Sequence, residues 1–305
     1  MTVPPRAEER FLPSVDRLES AMQAARRAFA QSKFDEALHQ LDATLRLKPE
    51  YDAAWLLRGH VLQKRRDLEG ALSSFEQALK ANEDSEEAWL GRANTLHDLG
   101  HFPEEVASYD RLLAIHPRSL EGWTDKGAAL HAMEDYTGAI ACYDKVLSFR
   151  PEHAAAWNNK GAALLRLGDV VGADRCLDEA LHLDPDFFDA MANRILLLSK
   201  GHRHGEIVIW ADRALRIRET AWIWLLKGLA HIGLSESTLA VKAFERALAL
   251  DPKLRQARAG LRKAQSLREK VDFYRGVYEC FGTHLEGDLG CGECEIRMRC
   301  REVTP

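Results

Sequence analysis

The sequence predicts an all-α protein: a solenoid of stacked helix pairs with a small cysteine-rich module at its end. Three observations carry this. First, Trp55, Trp89, Trp123 and Trp157 stand 34 residues apart. Second, other residue types keep phase with them. Gly59, Gly127 and Gly161 follow by four residues, Ala71, Ala139 and Ala173 by sixteen, Phe75, Tyr109 and Tyr143 by twenty, and Pro117, Pro151 and Pro185 by twenty-eight. Third, each unit holds two apolar stripes at helical spacing, separated by a short polar or Gly-containing turn. One such helix pair cannot bury its apolar face alone, so neighbouring pairs must stack.

The elements run in order as follows. Residues 1–17 read as a loose leader. The opening MTVPPRAEERF has prolines and charges where a signal peptide needs an apolar core. Seven units fill 18–252, starting near 18, 52, 86, 120, 154, 188 and 221. In the first, Ala21 and Ala25 stand where Trp and Gly are expected, and in the third Glu105 replaces a small residue. The sixth has Met191 and Ile195 at the Trp and Gly positions, a polar turn KGHRHG at 200–205 and one residue fewer, so an irregularity is expected there. The seventh recovers with Trp224, Gly228, Ala240, Phe244 and Pro252. Residues 253–275 form a capping helix with the apolar stripe Ala257, Leu261, Ala264, Leu267 and Val271, which an open solenoid end requires. Residues 276–305 hold four of the six cysteines.

In its repeated part the chain resembles the tetratricopeptide repeat (TPR) family. The clearest units are WTDKGAALHAMEDYTGAIACYDKVLSFRP (123–151) and WNNKGAALLRLGDVVGADRCLDEALHLDP (157–185). The resemblance covers about 18–252 and implies a right-handed α-α superhelix whose first helices line a concave, partner-binding surface. The repeated Trp, Gly and aromatic residues are then packing residues. Gly127 and Ala139 let paired helices approach, and the rings of Trp123 and Tyr143 fill the space between them.

The resemblance also implies which positions face the groove: one, two, five and eight residues after the Trp position. These are filled here by Asn94, His97, Asp125, His131, Asn158, Asn159 and Asn193, among others. The row Asp125, Asn159, Asn193, again 34 apart, is similar to an asparagine ladder that grips a peptide backbone regardless of sequence; solvated polar faces are the alternative. The basic clamp that some TPR proteins use on acidic chaperone tails is not visible, since Met22, Arg26, Leu56 and His60 fill its positions. The helix WIWLLKGLAHIGL (222–234) is apolar nearly all round, and Trp222, Leu225, Leu229 and Ile232 would face groove as well as core. Such a helix needs a cover: the chain's own C-terminal tail, a partner, or a second copy.

Net charge is −5 and no apolar run approaches the roughly 20 residues of a membrane span, so no membrane is expected and cytoplasmic location is. In a reducing compartment, Cys280, Cys291, Cys294 and Cys300, spaced C-x10-C-x2-C-x5-C, read as ligands of one metal centre rather than as disulfides. Zinc and a 4Fe-4S cluster both accept four thiolates, and the final triplet is similar in spacing to ligands in iron–sulfur nucleases of the RecB type. Unmetallated thiols are the third possibility. Cys142 and Cys176 read as packed thiols.

No phosphate loop, dinucleotide fingerprint or HExxH motif is present. The expected function is therefore non-catalytic: a protein-interaction scaffold that binds a peptide segment or helix in its groove. The alternative is a nucleic-acid-associated or redox-sensing regulator. It would act through the metal-bound tail and the capping helix, which has eight Lys or Arg against two Asp or Glu over 253–275.

Overall fold

The computed structural model describes residues 12–283, with side chains described for 17–270. Among these residues every regular element is an α-helix, fifteen in all, and the architecture is a helical-repeat solenoid. The chain divides into two compact units, one ending at Gly168 and one beginning at Asp169.

The first unit contains α1 (Leu12–Ala30), α2 (Phe34–Leu47), α3 (Asp52–Lys64), α4 (Leu68–Ala81), α5 (Glu86–Leu99), α6 (Phe102–Ile115), α7 (Leu120–Ala132), α8 (Tyr136–Phe149) and α9 (Ala154–Leu167). The second contains α10 (Val170–Leu183), α11 (Phe188–Lys200), α12 (His204–Ile217), α13 (Ala221–Gly233), α14 (Ser237–Leu250) and α15 (Arg255–Thr283). Three departures from the expected boundaries follow. Helix α1 begins inside the supposed leader, with Pro13 in the first turn, where its missing N–H costs nothing. Helix α15 runs past 275 to Thr283, because no Pro interrupts it. The fifth repeat is divided, α9 belonging to the first unit and α10 to the second.

Short turns force successive helices within each unit to pack antiparallel. A left-handed residue recurs in these turns with the repeat period: Ser32, Arg66, Gly100, Glu134, Gly168 and His202 are each 34 apart. The next is Ser235, one residue early. The missing residue of the sixth repeat therefore does not fall in the turn at 200–205. It falls in the connection between α12 and α13, which spans 218–220, whereas the connection between α10 and α11 spans 184–187.

That connection also lacks the usual tryptophan clip. Trp55, Trp123 and Trp157 donate Nε1–H to the carbonyls of Pro49, Pro117 and Pro151, six residues upstream. Trp224 donates instead to the Glu219 carboxylate at 3.1 Å, and Arg246 holds the same carboxylate with two bonds of 2.6 Å. A charged clip replaces the proline carbonyl where the loop is shortened.

Helix starts follow their capping residues. Asp67, Ser85, Ser119, Asp135, Asp169 and Thr220 each accept a hydrogen bond from the amide three residues on. The core lies between paired helices. A Cβ added at Gly59 would stand 2.7 Å from the Phe75 ring, and one at Gly91 of the next repeat would also come too close to that ring. Phe244 is held likewise between Gly228 and Gly260. Cys142 and Cys176 are buried free thiols, and burial raises the Cys142 pKa. No described helix is long and apolar enough to cross a membrane.

Candidate functional site

From the second repeat onward the first helix also carries a cation three residues after its tryptophan position, and each such cation reaches a carboxylate on the helix before. The pairs are Arg58–Asp42 (3.5 Å), Arg92–Glu76 (3.4 Å), Lys126–Asp110 (2.6 Å), Lys160–Asp144 (2.6 Å) and Arg194–Asp178. Lys227–Asp212 (2.5 Å) keeps the pattern one residue shorter, as the shortened connection requires. Arg58, Lys126, Lys160 and Lys227 also lie over their own repeat's tryptophan ring. These side chains join successive helices.

The opposite face of the same helices is open. In the first unit a concavity of about 680 Å³ is lined by residues of α1, α3, α5 and α7. Its polar lining includes His60, Gln63, Lys64, Glu86, Glu87, Asn94 and Glu121. His60 Nε2 lies 3.2 Å from Glu87, and Gln63 donates to Thr95 Oγ1 at 2.8 Å.

The expected groove residues separate into open and occupied ones. Asn94 is exposed in the concavity, and its Oδ1 accepts from the Tyr109 hydroxyl at 3.2 Å. His97 is exposed but bonded to Glu105, which is 3% exposed. His131 turns inward: its ring meets Tyr136 edge-on, its Nε2 is buried without a partner among the described residues, and burial lowers its pKa. Asn158 is buried rather than groove-facing and donates to Asn159 Oδ1 at 3.1 Å. Asp125 and Asn159 are half-buried on the first unit's inner helices, and Asn193 is half-buried in the second unit.

Asp125 sits in negative surroundings. Burial first, then the charges of Glu121 and Glu105, raise its pKa to about 6. Burial likewise raises Glu105, opposed by the hydrogen bond and charge of His97. The Tyr109 hydroxyl is pushed up by burial and by Asp125, Glu105 and Glu121. Sequence reasoning missed Glu87 and Glu121. Both stand two residues before their tryptophan, the position at which Trp222 was recognised.

The apolar patch of α13 is smaller than expected. Leu225 is 1% exposed and packs in the core with Ala240 and Phe244, so it is not a groove residue; it falls on the stripe that meets α14. Ile232 is half-buried against the same cluster. Trp222 and Leu229 remain uncovered among the described residues. Of the four expected metal ligands, Cys280 lies in the helical backbone of α15, while Cys291, Cys294 and Cys300 lie outside the described residues.

Comparison with curated protein sequences gives no match. Among solved structures, a tetratricopeptide repeat protein from Parabacteroides merdae is 18% identical, with 82% of this chain and 99% of that chain covered at a TM-score of 0.64. Pseudomonas aeruginosa pilF is 17% identical, with 68% and 95% covered and a TM-score of 0.59. YrrB, described as a TPR protein with an unusual peptide-binding site, is 19% identical, with 62% and 98% covered and a TM-score of 0.52. At these identities the likeness is one of fold. Family models described as tetratricopeptide repeat match residues 22–62, 56–119, 154–187 and 223–254, and one described as TPR repeat matches 127–168. With these matches over more than half its length, in phase with the tryptophan clips and helix-to-helix ion pairs, the chain belongs to the tetratricopeptide repeat family.

Proposed function

We propose that this chain is a non-catalytic scaffold that binds a segment of a partner protein on the inner helices of its first unit. The observation that carries this is the concavity of about 680 Å³ lined by four successive inner helices. TPR proteins generally mediate protein–protein contacts, and YrrB is described as having a peptide-binding site. Residues on several repeats, such as His60, Asn94 and Glu121, can contact one extended segment, which makes recognition depend on the spacing between repeats rather than on one pocket.

A photo-crosslinking side chain at Asn94 tests the reading, with the same group at exposed Glu69 on α4 as control. The expected result in extracts of the source cells is a discrete crosslinked peptide from Asn94 and none from Glu69. Equal crosslinking from both positions would remove the inner face from the function.

A further inference from the structure

The charges on the inner face of the first unit are unbalanced. Four cations of its inner helices are committed elsewhere: Arg58, Arg92, Lys126 and Lys160 all turn to carboxylates on preceding outer helices, while Lys64 lines the concavity and Arg26 is exposed on α1. Glu86, Glu87 and Glu121 line the concavity, opposed there by Lys64 and by His60 beside Glu87. Asp125, one helical turn beyond Glu121, makes no hydrogen bond or ion pair among the described residues and feels only like charges.

We infer that the concavity receives a basic segment of the partner, an extended stretch whose Lys or Arg side chains meet Glu87 on α5 and the Glu121–Asp125 pair on α7. The inference rests on the scaffold reading and assigns the chemistry of its partner. Charge complementarity is the argument. A half-buried carboxylate without a partner is unfavourable, and a cation converts it into a charge-assisted hydrogen bond. The lining also includes Phe29 and Leu90, apolar surface on which the methylene stems of Lys or Arg can lie while their charged ends reach the carboxylates. Glu87 and Glu121 hold the same repeat position on successive inner helices, about one helix diameter or ~10 Å apart. In an extended segment of polyproline II form, with three residues per turn and a rise of about 3.1 Å, residues three apart lie on the same side ~9 Å from each other, so a Lys-x-x-Lys spacing fits both.

The test uses the full chain and three labelled peptides, Lys-Ala-Ala-Lys-Ala-Ala-Lys and its Gln and Glu counterparts, followed by fluorescence anisotropy at low ionic strength. The Lys peptide is expected to bind more tightly than the Gln peptide, and the Glu peptide least. Combining Glu87→Gln, Glu121→Gln and Asp125→Asn should weaken Lys-peptide binding roughly tenfold, because close charge pairs are lost. Combining Glu50→Gln, Glu69→Gln and Glu152→Gln, at exposed positions elsewhere on the same unit, removes equal charge and should cost less than about twofold. The exchanged side chains are exposed or half-buried and near-isosteric, and Glu121→Lys alone supplies an independent variant that should also abolish the preference. Equal losses in the two triple variants, or no preference for the Lys peptide, would overturn the inference. Crosslinking from Asn94 to a segment without Lys or Arg would overturn it too while leaving the scaffold reading standing.

Discussion

Oε2 of Glu105 lies 3.1 Å from Nδ1 of His97, across the turn that joins α5 to α6. The glutamate is 3% exposed, whereas the histidine side chain is about half exposed. Glu105 occupies the repeat position that Ala71 and Ala139 fill elsewhere, so a carboxylate is buried where the paired helices normally meet over a methyl group. His97 partly offsets that burial.

Removing His97 leaves the buried carboxylate unpaired. His97→Ala is expected to lower stability at neutral pH by about 1–3 kcal/mol. Glu105→Ala should change it by less than about 1 kcal/mol, because a desolvated charge leaves with its bond. The pKa of Glu105 is raised, so the folded chain holds its proton more tightly than the unfolded chain does. The deficit of His97→Ala should therefore shrink as pH falls through that raised value. Denaturant unfolding at several pH values measures it, and a deficit that grows on acidification would contradict the pairing.

Asp125 gives a second pH-dependent expectation. Its pKa rises from 3.8 to about 6 through burial and the charges of Glu121 and Glu105. The ionised form opposes folding, so its penalty is absent below the ordinary carboxylate range and complete above about pH 6. Asp125→Asn should stabilise the fold at pH 7.5 by about 1–2 kcal/mol, after discounting for partial exposure, and leave it unchanged near pH 4. Thermal melts of both proteins at the two pH values decide this.

Packing gives the third. A Cβ at Gly59 would stand 2.7 Å from the Phe75 ring, which is fully buried between Gly59 and Gly91. Gly59→Ala should cost about 1–3 kcal/mol through overpacking, despite the better helix propensity of Ala. Adding Phe75→Leu should recover part of the loss, since the strain then has no ring to act on. A double-mutant cycle with no coupling would show that the contact is not what excludes the methyl group.

The cysteine spacing supports a fourth. We propose that Cys280, Cys291, Cys294 and Cys300 bind one metal centre. Elemental analysis of anaerobically purified protein should find about one zinc and no colour, or several irons with a brown chromophore. Neither metal, with unchanged behaviour when all four cysteines become serine, would remove the site.

The sequence by itself determined the fold class, because packing in a repeat solenoid is periodic. Gly59, Phe75, Ala71 and the tryptophans recur at fixed intervals since every helix pair solves the same close-approach problem, and a recurring solution is visible in one dimension. Local signals were legible for the same reason, down to the shortened sixth repeat. What the tertiary structure decided is where individual side chains turn. Asn158 and Asn159 are adjacent in sequence, yet one is buried and the other half-exposed. Leu225 reads as facing groove and core together, yet it is buried in the core. His97 and His131 share a repeat position and both meet an aromatic ring edge-on, yet His97 also meets a buried glutamate. The proline-free connection at 218–220 is held by Glu219 bridging Trp224 and Arg246, which no spacing rule contains. Hydrogen bonds and charge pairs depend on ångström-scale distances between helices far apart in sequence, whereas apolar periodicity needs only that a face be buried.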